Sequence, residues 1–153
     1  METFWSERRS IQLSRGLVIF FGALLVALDI GGWWFAQFIC ANVVRHTGMR
    51  YVLSLLICLY LCSVPAYILL VSLDKLLNNM EKDHVFVQEN VVLLRRVSWC
   101  CVAAALVCLL FISTWLSLVV ISLAAAFMAL IVRVIKNVFV RAINMKAELD
   151  YTI

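Results

Sequence analysis

Few side chains in this chain could do chemistry, and Asp29 stands first among them. It interrupts an otherwise uncharged apolar run from Gly16 to Val44. A carboxyl group buried among apolar residues must be satisfied by hydrogen bonds or by a cation. No Lys or Arg lies at a comparable depth in any apolar segment, so hydroxyl, amide or carbonyl partners are required. Tyr60, Ser63 and the backbone carbonyl freed by Pro65, all in the second apolar segment, are the expected partners. Such a cluster would carry a proton or cation relay, or simply join two helices. A third expectation places Asp29 near the outer membrane surface, if Trp33 and Trp34 mark that interface.

The six cysteines, at 40, 58, 62, 100, 101 and 108, all fall in or at the edge of apolar segments. Cys58 and Cys62 are one helical turn apart and could share a soft metal with Cys40, but no histidine accompanies them. Their reading is as packing thiols, with no metal or cofactor assigned. His46 and His84 lie in different loops. No metalloprotease helix motif, phosphate-cradling glycine loop or convergent Ser–His–Asp set is present, so no catalytic residue is assigned and a non-enzyme is expected.

The elements that must position these groups are membrane spans. With 65% apolar residues, 14% charged and a mean hydropathy of +1.03, the composition falls outside the soluble range. Val97 to Val132 holds 36 residues without a charge. As one helix it would be about 54 Å long against a hydrocarbon core of about 30 Å, too long to fit by tilting. It reads as two spans joined near Ser113-Thr114-Trp115. The chain is therefore expected to be an all-α, four-helix membrane bundle in one domain. Its spans lie at about 16–44, 51–73, 97–112 and 116–135, and its cytoplasmic segments at 1–15, 74–96 and 136–153.

Basic residues set the orientation. Ten of the thirteen fall in those three segments, an eleventh, Arg133, stands at the cytoplasmic end of the fourth span, and two, Arg45 and Arg50, lie in the loop between the first and second spans. A three-span arrangement would lose nearly all of this bias. Four spans with both termini in the cytoplasm satisfies it. The net charge of +4 thus orients the chain in the bilayer, and direct nucleic-acid binding is not expected.

Beyond the second span, Leu73, Leu76, Leu77 and Met80 keep a helical period; beyond the fourth, Ile131, Val134, Ile135, Val138, Phe139 and Ala142 do the same. These short cytoplasmic extensions are expected to pack together as a stalk, or else the basic 133–146 helix lies on anionic lipid. Small residues (Gly22, Gly31 and Gly32 in the first span; Ser122, Ala125, Ala126 and Ala129 in the fourth) mark faces for close helix packing or for a second subunit in a homo-oligomer.

Pro65, Lys75-Leu76-Leu77, Phe86, Asn90, Leu94-Arg95, Ala142 and the tail Lys146-Ala147-Glu148-Leu149-Asp150-Tyr151-Thr152-Ile153 occur in an order that resembles the YoaS-like family of small bacterial membrane proteins. The resemblance covers about residues 51–153. Val87 stands where that family carries a helix-capping Ser or Thr, and Tyr151 where it has Leu. The resemblance implies four spans, no established activity, and frequent encoding beside a small Cro-like helix-turn-helix regulator. The leading expectation is a membrane partner of such a cytoplasmic protein. Its docking surface would comprise Phe86, Asn90, Arg95, Lys146, Glu148, Asp150, Thr152 and Ile153. The rivals are a small transporter or channel subunit built around Asp29, and a structural or assembly component of a membrane complex.

Overall fold

The structure, a computed structural model, describes residues 2–44, 48–82, 87–113 and 116–150, with side-chain detail for 12–42, 48–82, 87–113 and 116–148. Four helices account for nearly all of these residues: α1 (Glu2–Ile39), α2 (Met49–Glu81), α3 (Gln88–Leu110) and α4 (Leu118–Asp150). All four are long and apolar enough to cross a membrane. The fold is an all-α four-helix bundle. At 1.5 Å per residue, α3 is about 35 Å long and fits the hydrocarbon core closely, whereas α2 and α4 reach about 50 Å and overhang it.

The ends follow from local sequence. α1 closes in a π-helical turn, Cys40–Val44, where Asn42 Nδ2 donates to the Phe38 carbonyl at 3.1 Å. α2 runs through Pro65 without a break. Val87, in extended conformation, precedes α3 and offers no side-chain cap; only its carbonyl is used, accepting from the Asn90 amide at 3.1 Å. The missing cap expected from Val87 is therefore present as a structural fact. Glu89 in the first turn of α3 suits the positive end of the helix dipole. Thr114 and Trp115, at the centre of the expected hairpin, lie outside the described residues.

Packing proceeds in chain order: α1 on α2, α2 on α3, and α3 on α4. α3 supplies the centre, burying Asn90, Val91, Leu93, Leu94, Val97, Ser98, Cys100, Ala105 and Cys108. The expected stalk between the extensions of α2 and α4 is not formed as a seam, because α3 begins at Gln88, well before the uncharged run that starts at Val97, and packs against both. Most large apolar side chains elsewhere point outward, Ile30, Trp34, Leu116, Val120 and Leu123 among them, as a lipid-facing exterior requires.

The small residues divide in the same way. At Gly32 an added Cβ would stand 3.2 Å from Leu59 Cδ2 and 3.5 Å from the Tyr60 hydroxyl, so the backbones of α1 and α2 meet closely there. At Gly22 and Gly31 nothing lies within 4 Å of that position, so neither packs against another span of the chain. Ser122 and Ala129 are buried against α3, while Ala126 faces outward.

Candidate functional site: a polar seam between the first two helices

Asp29 is joined to α2 by two tyrosines. The Tyr67 hydroxyl donates to Asp29 Oδ2 at 2.8 Å, and the Tyr60 hydroxyl donates to the Asp29 backbone carbonyl at 3.0 Å. Asp29 Oδ1 is buried and has no hydrogen-bond partner among the described residues. Tyr60 and Tyr67 fall near the midpoint of α2, so Asp29 sits beside the middle of that helix and not near its end.

Tyr60 is thus brought to Asp29 as expected, and Ser63 and Pro65 are not shown to join it. Ser63 donates to the Tyr60 carbonyl at 2.9 Å, one turn back on its own helix. That bond satisfies Ser63 locally, which removes it from the cluster. Tyr67 was not among the expected partners. Its signal was its position, seven residues after Tyr60 and therefore on the same helical face.

The same spacing continues. Arg15, fourteen residues before Asp29, reaches Asp74 (Nε to Oδ1, 3.8 Å) and Glu81 (Nη1 to Oε2, 3.2 Å). Tyr60, Tyr67, Asp74 and Glu81 therefore form one stripe at heptad spacing along α2. Arg15 and Asp29 each bridge two adjacent members from the antiparallel α1. Each joins residues seven apart, the repeat that keeps two long helices in register. The Arg15 pairs are about half exposed, so they set register and add little stability.

The end of the bundle that carries Arg15 and Glu81 holds further polar contacts. Asn79 Nδ2 donates to Asn90 Oδ1 at 2.9 Å, and Asn90 is fully buried. Asn90 was expected on a docking surface, and its burial between α2 and α3 corrects that. Arg95 and Lys146 are exposed, and so is Glu148. Phe86, Thr152 and Ile153 lie outside the described residues, as does the Asp150 side chain. Arg95, Ser98, Trp99, Arg133 and Lys136 line a cavity of 380 Å³ between α3 and α4. Among the described residues no carboxylate pairs with Arg95, Arg133 or Lys136, which leaves a cationic recess flanked by an aromatic ring.

Residues 22–153 match the model of a family described as Protein of unknown function (DUF2975). The chain belongs to that family. The DUF2975 match includes Asp29, both tyrosines and the whole of α2 to α4, and it begins after Arg15. It thus reaches into the first helix, beyond the stretch on which the sequence resemblance rested. No curated protein and no solved structure matches the chain.

Proposed function

We propose that this multi-pass membrane protein acts without catalysis, as the membrane-side partner of a cytoplasmic regulator. The observation that carries the reading is the overhang of α4. Its helix continues unbroken to Asp150, about 20 Å longer than the hydrocarbon core needs, and ends in the polar run that contains Lys146 and Glu148. Anchoring a helix does not require that length. The positive-inside distribution supports a cytoplasmic position for this end in a bacterial membrane. The resemblance to YoaS-like proteins, often encoded beside a helix-turn-helix regulator, supports the kind of partner. The docking face is then Arg95 with the exposed end of α4, together with Phe86, Asp150, Thr152 and Ile153.

Orientation is tested first. Reporter fusions placed after Asn79 and at the C-terminus should both read cytoplasmic; an external signal at the C-terminus removes the model. The partner is tested by coexpression with the product of the neighbouring reading frame, which the resemblance implies is a helix-turn-helix protein. The full chain should retain it in detergent, and a chain lacking Glu148–Ile153 should not, while both insert equally. Equal retention removes the tail from the interface.

A second reading rests on one specific observation, the unpartnered Oδ1 of Asp29. An orphaned carboxyl oxygen at membrane depth is where a proton or small cation would be held by a transport or channel subunit. Under that reading Asp29→Asn abolishes activity as fully as Asp29→Leu, because an amide cannot exchange charge.

A further inference from the structure

By sequence, Cys58 and Cys62 share one face of α2 and could join Cys40 on a soft metal, although packing thiols are the preferred reading. The fold supplies a different third. Cys108, from α3, lies with Cys58 and Cys62 so that all three sulfurs are within 4.8 Å of one another. Cys58 and Cys108 are each 5% exposed, and Cys62 is half-buried beside them. All six cysteines are free thiols, so these three are not consumed by a bridge. The surrounding cluster is apolar, with Val52, Leu55, Val107, Phe111 and Leu118.

We propose that Cys58, Cys62 and Cys108 form a three-coordinate site for a trivalent thiophilic metalloid, delivered as its uncharged hydroxide. Arsenous acid is the probe. Geometry makes the first argument. Bonds of about 2.3 Å to a trivalent centre, whose lone pair makes the site pyramidal with angles of about 100°, hold three sulfurs about 3.5 Å apart, which side-chain adjustments of about 1 Å would reach. The i, i+4 spacing places two ligands on one face of α2, and α3 closes the triangle.

Charge makes the second argument and chooses the ion. Three thiolates around a monovalent ion leave two negative charges, and around a divalent ion one, in a site with apolar walls. Zinc also takes a fourth ligand in structural sites, and among the described residues no further His, Cys, Asp or Glu joins the three. A trivalent centre is neutral. The exchange is balanced: three S–H bonds and three As–OH bonds give three As–S bonds and three waters. Arsenic stays trivalent, no electron moves, and no charge is left in the bilayer. The incoming acid is itself uncharged, so its entry brings no charge into the apolar site.

The full chain, purified in detergent and reduced with a phosphine that contributes no thiol, is titrated with arsenite. Native mass spectrometry should show one adduct per chain, with the mass of one arsenic less three hydrogens. Arsenic absorption spectra of the loaded wild type should show three sulfur neighbours and no oxygen. Each of Cys58→Ser, Cys62→Ser and Cys108→Ser should weaken binding by about 100-fold or more, beyond the 10–100-fold typical of outer-shell changes at metal sites. Cys40→Ser, in the same apolar cluster, and Cys101→Ser should keep binding within a few-fold. Helicity and elution volume report whether each variant folds. Two sulfurs with one oxygen in the wild type would overturn the proposal whatever the variants do. So would no arsenite binding, an equal loss in Cys40→Ser, or displacement of arsenic by equimolar zinc or copper(I).

Discussion

The two outer seams of the bundle are built on opposite plans. Between α3 and α4 the contact is close and small: Ser98 donates to the Ala129 carbonyl and Ser122 to the Ala105 carbonyl, both at 3.1 Å, with Ser98, Ala105, Ser122 and Ala129 all buried. Short hydroxyls reaching the neighbouring backbone require the helices to be nearly touching. Between α1 and α2 the contact is long-armed. Tyrosine, arginine and carboxylate side chains span the gap, and an apolar groove of 420 Å³, lined in part by Leu17, Phe21, Leu69 and Leu73, lies along the seam. Among the described residues, α1 and its closing turn are buried only at Gly32, Ala36 and Cys40. In lipid, where apolar surface gains nothing by leaving its surroundings, close packing gives stability and polar bridges give register. α3–α4 is the structural half, and α1 is a helix held by register.

That contrast can be broken most strongly at Ala129. Ala129→Leu places a branched side chain at a buried position whose carbonyl accepts from Ser98, and overpacking of this kind costs about 1–3 kcal/mol. Detergent unfolding should show a loss in that range, accompanied by separation of α4. The matching change on α1, Ala23→Leu, at an exposed position, should be near neutral. Equal losses at both sites would mean that α1 is packed as firmly as α4.

The next effect is at Asp29. Asp29→Leu removes the acceptor for Tyr67, and the range for interhelical polar contacts in membranes is about 0.6–2 kcal/mol. Asp29→Asn keeps an acceptor oxygen for the Tyr67 hydroxyl and should be mild. Tyr67→Phe should resemble Asp29→Leu in direction, and combining the two should add little, since they remove one bond. A full additive loss in the double variant would show that Tyr67 and Asp29 act separately.

How much of this could be read from the chain depends on whether a feature is local. The uncharged run from Val97 to Val132 and the distribution of basic residues called for four helices, and the structure has four. Asp29 stood out because charge inside an apolar run is local too. Tyr67 did not, although Tyr60, Tyr67, Asp74 and Glu81 are evenly spaced, because a stripe becomes meaningful only once the facing helix carries Arg15 and Asp29 at multiples of the same repeat. The relative register of helices was the missing quantity elsewhere. It decides that Cys108 and not Cys40 completes the cysteine triangle, and that Gly32 alone of three glycines meets α2. It also decides that Asn90 turns inward to Asn79.

The smallest expected effect tests the idea of register directly. Arg15 bridges Asp74 and Glu81 from a half-exposed position, where ion pairs contribute about 0–1 kcal/mol and salt weakens them. Arg15→Ala should therefore barely change the unfolding midpoint. If the bridge fixes the axial position of α1, its loss should appear as altered register instead. Cysteines introduced at Ser14 and Leu73, two residues lining the groove between α1 and α2 at this end, in a background without native cysteines, would report it through their crosslinking yield. The yield should fall on Arg15→Ala, be retained in Arg15→Lys, and fall in wild type as salt is raised. An unchanged yield with a lowered midpoint would reverse the assignment and make the pair a stabilising contact. An unchanged yield with an unchanged midpoint would leave Asp29 and the tight contacts at Gly32 and Ala36 as the features that set the position of α1.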